Sequence, residues 1–462
     1  MPKVTLEKIV SLSKRRGFVW PGSDMYGGMA NTYDFGPYGA ELKENVKKLW
    51  WEKFIHDRKE IFGIDSSTFI NSDVWEASGH TKNFNDLLVE DTVTNKRYRA
   101  DHLIEDHFSK RNKEIKVEGL SLKKLDKIIK DEGIKSPDGN ELSKTKKFNQ
   151  LFQTKIGVIE DEKNAAYLRG EIAQGLFLNY KNILETFHPK LPFGIGQYGK
   201  AFRNEISKGQ FTFRTLEFDL MEFEYFFDPE KQKWEDLFKY WKEQIKEFAL
   251  ELGINKKKLR WRQHEEFELA HYSKRTEDLE YQFPFGFKEM FAVAYRTDFD
   301  LKNHSEHTGK DLKYTTTDGR KFIPHVVEPT FGLSRIITVL LFDSYKEDTV
   351  KDRKRIYLSL DPKIAPVKAA VFPLQKDKKL KEIAKKIYKS LNDKIKGNII
   401  YDESGSIGKR YRRQDEIGTP YCITIDFESL VDKKVTVRNR DDLKQERVKI
   451  ESVSTIIKDR IK

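Results

Sequence analysis

The stretch Gly199-Lys-Ala-Phe-Arg-Asn-Glu-Ile206 reads as a strand, and Phe213–Phe227 reads as a second, longer one. Strand side chains alternate between faces with a period of two. Arg203 and Glu205 therefore share a face of the first strand. Arg214, Leu216, Phe218, Leu220, Glu222 and Glu224 share a face of the second. The polar segment Ser207–Thr212 between them predicts an antiparallel hairpin. Burying so many charges without partners is very costly. The face is either solvated, with exposed ion pairs, or open to a polar ligand. Two arginines suit phosphates through forked hydrogen bonds. A phenyl face suits a nucleobase, and a carboxylate accepts from an exocyclic amine or holds a metal. Taken as a ligand site, this surface describes ATP.

A third stretch adds to the pattern. His325–Gly332 predicts a strand carrying Glu328, which runs through Pro329 and Gly332 into an apolar helix. Arg335 falls in the first turn of that helix, where an arginine beside free backbone N–H groups makes an anion site. An ordinary strand–helix junction with a surface arginine would have the same sequence.

The 462 residues suggest two to four domains, at roughly 100–200 residues each. No apolar run approaches the roughly 20 residues of a membrane-spanning helix. Residues 1–10 hold Lys3, Glu7 and Lys8 without an apolar segment, so no secretory leader is expected. The single cysteine, Cys422, can form neither an intrachain disulfide nor a cysteine-based zinc site. A reducing, cytoplasmic setting fits. Charge is uneven: residues 362–462 carry 25 Lys and Arg against 15 Asp and Glu, while the rest is close to neutral. The excess fits either a polyanion partner or general lysine enrichment.

Residues 39–57 predict a helix with Leu42, Val46, Leu49, Trp50 and Phe54 on one stripe. Residues 109–150 are lysine-rich and read as an insertion with one short amphipathic helix. From Pro362 the order is β-α-β-α-β-β-α, ending in a helix over 442–459, which suggests a small α/β domain. The expected units are 1–108 with 151–361, then 109–150, then 362–462.

The Phe-Arg-Asn-Glu and Arg-x-x-x-Phe strands and the Gly-Leu-Ser-Arg helix start resemble motifs 2 and 3 of class II aminoacyl-tRNA synthetases. Further strings narrow the resemblance to the dimeric type of glycyl-tRNA synthetase. They are Asn31-Thr-Tyr-Asp-Phe-Gly-Pro-Tyr-Gly39, Trp75-Glu-Ala-Ser-Gly-His80, Tyr98-Arg-Ala-Asp-His102, Ala166-Tyr-Leu-Arg-Gly-Glu-Ile-Ala-Gln-Gly175, Lys288-Glu289 and Ala294-Tyr-Arg-Thr-Asp298. The resemblance covers nearly the whole chain and is weakest over 109–150.

The fold it implies is an α+β catalytic domain, an antiparallel sheet flanked by helices, followed by an α/β anticodon-binding domain. The activity it implies is activation of glycine with ATP and transfer to the 3′ end of tRNA(Gly). By similarity, Arg203 and Arg335 are the catalytic arginines. Arg203, Asn204, Glu205, Phe213, Arg214, Phe218, Glu289, Met290, Gly332 and Arg335 bind ATP, with Glu289 near Mg²⁺. Arg99, Glu171, Phe218, Glu222, Glu328 and Ser334 bind glycine. Lys409, Arg410, Arg412 and Arg413 form a tRNA-facing run. The 39–57 helix is the dimer element, and no zinc is implied.

Three departures are legible. Gly170 stands where relatives usually have proline. Leu220 stands where bacterial relatives more often have glutamine. Ser136-Pro137-Asp138-Gly139 sits where some relatives have cysteines. The competing reading is a non-catalytic nucleic-acid-binding paralogue on the same scaffold, of the polymerase accessory-subunit type. The presence of Arg203, Arg214 and Arg335 argues against it.

Overall fold

The computed structural model describes residues 4–111, 113, 115, 117, 120–157, 165–205, 211–350 and 352–461. The centre is a seven-stranded sheet. Its order is Leu259–Gln263, Arg275–Phe283, Gly286–Thr297, His325–Gly332, Glu217–Phe227, Phe193–Phe202 and Ile61–Gly63. All neighbours are antiparallel except the last pair. The α+β expectation therefore holds for the catalytic part, with one parallel edge strand.

Alternation along Glu217–Phe227 decides what lies on each side. Met221, Phe223, Tyr225 and Phe227 enter the main core. There they meet Phe238, Trp241, Ile245 and Phe248 of helix Trp234–Glu251. Phe223 and Trp241 are 4.7 Å apart between ring centroids. The other face carries Phe218, Leu220, Glu222, Glu224 and Phe226. At its far end Phe226 packs at a tilt against Tyr180 of helix Ala173–Phe187, with ring centroids 4.8 Å apart. That helix covers only part of this face.

The expected 39–57 helix forms as Pro37–Trp51 and widens into a π turn over Glu52–His56. Trp50 is fully buried between Phe54, Phe223 and Phe331 of its own chain. It is thus a core residue of its own chain, as the apolar stripe of a simple core helix requires.

The predicted hairpin pairs Phe202 with Glu217, so its connection is longer than expected and takes in both Arg203 and Arg214. Residues 206–210 lie outside the described residues, as do residues 1–3 with Lys3.

The lysine-rich lobe is wider than 109–150. Its helix Leu122–Asp131 packs Leu125 and Ile129 against Val89, Ala100 and Ile104. Strand Asn85–Glu90 pairs with Lys146–Asn149. At the Ser136–Gly139 turn, Ser136 Oγ and Asn140 Nδ2 donate to the Asp91 carboxylate at 2.5 and 3.1 Å.

The C-terminal unit has five strands, in the order Ile399–Tyr401, Ala369–Pro373, Tyr421–Ile425, Lys434–Asn439 and Gln445–Lys449. The single expected helix over 442–459 is instead a strand, Gln445–Lys449, and a helix, Val453–Arg460. The boundary also moves, because Ile364 and Ala365 belong to the main core. Asn45 donates to both of their carbonyls at 3.2 Å.

Helix Ile407–Ile417 lies against the strand Arg353–Leu358 of the body. Here buried Asp415 takes both guanidinium nitrogens of Arg438, at 2.8 and 3.0 Å. Arg355 from the body approaches the same carboxylate at 3.5 Å. All three side chains are at most 8% exposed. Among the described residues no helix is long and apolar enough to cross a membrane.

Removing the shared carboxylate leaves two buried guanidiniums short of a partner. Asp415→Ala is expected to destabilise the chain by about 3 kcal/mol. Denaturant melts of the full chain check this, and a loss under about 0.5 kcal/mol contradicts a docking role.

Candidate active site

The partly uncovered face of the sheet floors a cavity of about 300 Å³. Cross-strand register builds it. Glu222 faces Thr330, which faces Ala292. Glu328 faces Ala294, and Leu220 faces Gly332. Two alanines and a glycine keep the floor low, and carboxylates stand around it. The register shifts near the strand end, at Tyr295/Thr297, and also at Leu279/Glu280, where the sheet has a bulge. Opposite it Met290 turns into the main core, while Glu289 and Ala292 both face the cavity.

One end of the cavity is cationic and aromatic. Arg203 is held just beyond its strand, its Nε donating to the Gly170 carbonyl at 3.0 Å. Its guanidinium lies over the rings of Phe84 and Phe218, at 5.0 and 5.2 Å. Glu205 sits between Arg203 and Arg214, 3.9 Å from each. Arg335 leaves the first turn of helix Leu333–Ser344 and pairs with Glu289 at 2.7 Å. Its guanidinium also lies over the Phe213 ring at 4.8 Å. Partial burial acts to raise the Glu289 carboxyl, but Arg335 outweighs it and holds the group below its ordinary value.

Asp278, on the adjacent strand, behaves in the opposite way. Burial and the charge of Glu289 push its carboxyl up to about 6, although His264 lies 2.7 Å away. Asp278 and Glu289 stand on neighbouring strands, both line the cavity, and their charges repel. Ser334 Oγ accepts from the Asp219 N–H at 3.0 Å, and Lys43 pairs with Asp219 at 2.5 Å.

The other end is an acidic cup around Arg296, a residue the sequence reading quoted without a role. Arg296 is fully buried. Its Nε and Nη2 donate to Asp300 at 2.8 and 2.9 Å. Its Nη1 donates to both Glu328 oxygens, at 3.1 and 3.2 Å. Nη2 also lies 3.6 Å from Glu171, and the guanidinium covers the Tyr272 ring at 3.6 Å. Glu171 is held further by Gln174 Nε2 at 3.0 Å and His80 Nε2 at 3.1 Å. Burial acts to raise the Glu171 carboxyl, but His80, Arg296 and Gln174 together pull it well below its ordinary value.

Glu222 has no such cation. Thr330 Oγ1 donates to it at 2.8 Å, and its second oxygen has no hydrogen-bond partner among the described residues. Burial, and then Glu328, push its carboxyl well above its ordinary value.

The cavity thus gathers Arg203, Glu205, Phe213, Arg214, Phe218, Glu289, Gly332 and Arg335, with Glu171, Glu222, Glu328 and Ser334. Three expected residues stand elsewhere. Arg99 spends its guanidinium on Asp86 and Asp101, at 2.9 and 2.6 Å. Asn204 turns away, its backbone N–H donating to the Gln150 carbonyl. Met290 is in the core.

The basic run Lys409–Arg413, expected to face tRNA, is largely consumed as well. Arg410 is buried, donating to the carbonyls of Pro373, Leu374 and Asp402. Arg412 donates to the Lys354 carbonyl, and Arg413 pairs with Asp402. Only Lys409 of the four is exposed.

Gly170 has a steric role. A Cβ there would stand 2.8 Å from Leu151 Cδ2 and 3.1 Å from Phe84 Cε1, so its absence lets Phe84 lie under Arg203. Leu220 joins Ile172, Ala201 and Phe218 in a small apolar wall.

Comparison with known proteins agrees with this geometry. Residues 368–460 match the family described as an anticodon binding domain. Over the full chain, the glycine–tRNA ligase of Clostridium acetobutylicum is 50% identical, covering 99% of each chain. That of Caldanaerobacter subterraneus is 47% identical, covering 100% of this chain and 99% of its own. That of Staphylococcus aureus is 48% identical, covering 99% of each. A sheet face carrying these arginines and acids, at this identity and coverage, places the chain in the glycine–tRNA ligase family of class II aminoacyl-tRNA synthetases.

Proposed function

We propose that this cavity activates glycine with ATP and then passes the glycyl group to the 3′ end of tRNA(Gly). The observation that carries the reading is the convergence of two halves on one floor. Arg203, Arg335 and the Phe218 ring gather at one end, and an Arg296-centred acid cup stands at the other.

The cup suits an ammonium. Glu171, Glu222 and Glu328 all border the cavity, and Ala292 and Ala294 lie beneath. Glycine offers no side chain to read, so selection rests on gripping the ammonium and crowding the Cα. The glycine carboxylate is itself the nucleophile. Its oxygen attacks the α-phosphorus, forming the acyl–phosphate bond as the bond to pyrophosphate breaks. No protein base is needed.

Arg203 neutralises charge developing on the α-phosphate, and the Phe218 face supports the adenine. Glu205 accepts from the adenine amine. Arg214 and Arg335 hold the terminal phosphate. Glu289 and Asp278 would hold Mg²⁺, which supplies charge neutralisation at the phosphates when bound. Catalysis is then positioning plus electrostatic stabilisation.

The surplus of ten positive charges over residues 362–462 favours the C-terminal unit as the tRNA-binding part. Lys409 is the member of the basic run free to meet a phosphate. A homodimer would seat a second copy on the 22–32 loop rather than on Trp50. Met25, Tyr26 and Met29 there are 93%, 90% and 56% exposed, which is unusual for large apolar side chains on a monomer.

Two measurements test the reading. ATP–pyrophosphate exchange with single amino acids is expected with glycine, and Arg203→Ala should lower it about 100-fold or more. Exchange with serine or alanine but not glycine contradicts the substrate. No exchange at all favours the non-catalytic scaffold. Sedimentation should give a dimer that Met25→Ser/Tyr26→Ser/Met29→Ser weakens, whereas an unchanged dimer contradicts the seam.

A further inference from the structure

Behind the acid cup stands a carboxyl that the reaction above does not use. Glu224 lies two residues beyond Glu222 on the same strand face and is fully buried. It does not line the cavity, and among the described residues neither of its oxygens has a hydrogen-bond partner. One oxygen each from Glu222, Glu224 and Glu328 lie within 4.8 Å of one another.

The charged groups facing Glu224 come from four neighbouring segments. They are Glu328 on His325–Gly332, Arg296 on Gly286–Thr297, Asp300 on helix Phe299–Thr308, and Glu171 ahead of helix Ala173–Phe187. Glu222 is its neighbour along the strand. Five carboxyls thus crowd one guanidinium, and that guanidinium is already committed to Asp300 and Glu328. His80 compensates Glu171 alone. Arg296 acts on Glu224 more weakly than burial and Glu328 do, and among the described residues Glu222 and Glu224 make no ion pair of their own.

We propose that Glu224 is a positioning residue for the glycine ammonium. Before glycine enters, the buried trio Glu222, Glu224 and Glu328 holds a proton that spares it mutual repulsion. The ammonium brings its own positive charge, and the proton becomes redundant. A carboxylic O–H bond breaks, the trio becomes more anionic around the ammonium, and the proton leaves through the cavity mouth to water. Nothing is oxidised or reduced. The direction of the Glu224 carboxyl agrees, since burial and then Glu328 push it well above its ordinary value.

The sign follows from linkage. A step that releases a proton is favoured as pH rises, so glycine affinity should climb by up to about tenfold per pH unit while the trio titrates. The inference rests on the proposed glycine site. It deepens that reading by making substrate capture proton-coupled.

Calorimetric titration of glycine into the full chain, repeated in buffers of different protonation enthalpy, counts the protons. Release of about 0.5 to 1 proton per glycine is expected. Glu224→Gln keeps the shape without the acid, and should at least halve the release and flatten the pH dependence of KM for glycine. Glycine binding without proton release, or the same release from the variant, overturns the proposal. Failure of glycine to bind at all removes the site reading beneath it. Should the variant not fold, difference infrared spectroscopy of the unaltered chain decides. Glycine should abolish a protonated-carboxyl carbonyl band, and an unchanged band overturns the proposal.

Discussion

A single buried guanidinium makes the acidic cup possible. Arg296 is fully buried, with Asp300 on one edge, Glu328 on another and the Tyr272 ring across its face. Stripped of that cation, Glu171, Glu328 and Asp300 would be uncompensated charges in a low-dielectric pocket, each costing several kcal/mol. Gln174 ties the arrangement together. It donates to both Glu171 and Asp300 and accepts from His304 at 2.8 Å. The carboxylates that border the cavity are therefore oriented by groups behind them. A cup built this way is preorganised for a small cation and need not rearrange to receive one.

The sheet supplies what side chains alone cannot. Antiparallel register places small residues opposite the acids and keeps room above the floor. The bulge at Leu279/Glu280 changes the phase of the Gly286–Thr297 strand, so Glu289 and Arg296 both serve the cavity side although an odd number of residues separates them. Helix Leu333–Ser344 begins where its strand ends, and this brings Arg335 to Glu289. The same helix runs directly into strand Tyr345–Val350, whose partner strand carries Arg355 to Asp415. The cationic end of the cavity and the C-terminal unit are thus linked through paired strands.

Much of this was legible in the residues themselves. The alternation along Glu217–Phe227 gave the right face for Phe218, Glu222 and Glu224. The Gly332–Arg335 junction is a strand end and a helix start, as its sequence implies. What escaped was non-local. Strand periodicity continued through Arg203 and Arg214, but both lie in the hairpin connection, where tertiary contacts set direction. Met290, expected by resemblance, turns into the core because a bulge breaks the period there. Arg99 and most of the basic run, expected by resemblance, have partners within the chain that charge alone does not reveal. Helical spacing was the missed signal for Arg410, since it shares an inward face with Gln414 and Ile417. His80, Gln174 and the local Arg296–Asp300 pair come from three separate segments, and no local pattern brings those segments together.

The central claim is that an acid cup and a guanidinium–phenyl surface meet around one bent reactant. A crystal structure with a non-hydrolysable glycyl-adenylate mimic tests it most directly. The account predicts the ammonium within about 3 Å of oxygens from Glu171, Glu222 and Glu328, with the adenine against Phe218 and the phosphate linkage beside Arg203. An ammonium turned away from those acids, or an adenine seated off the Phe218 face, would contradict it.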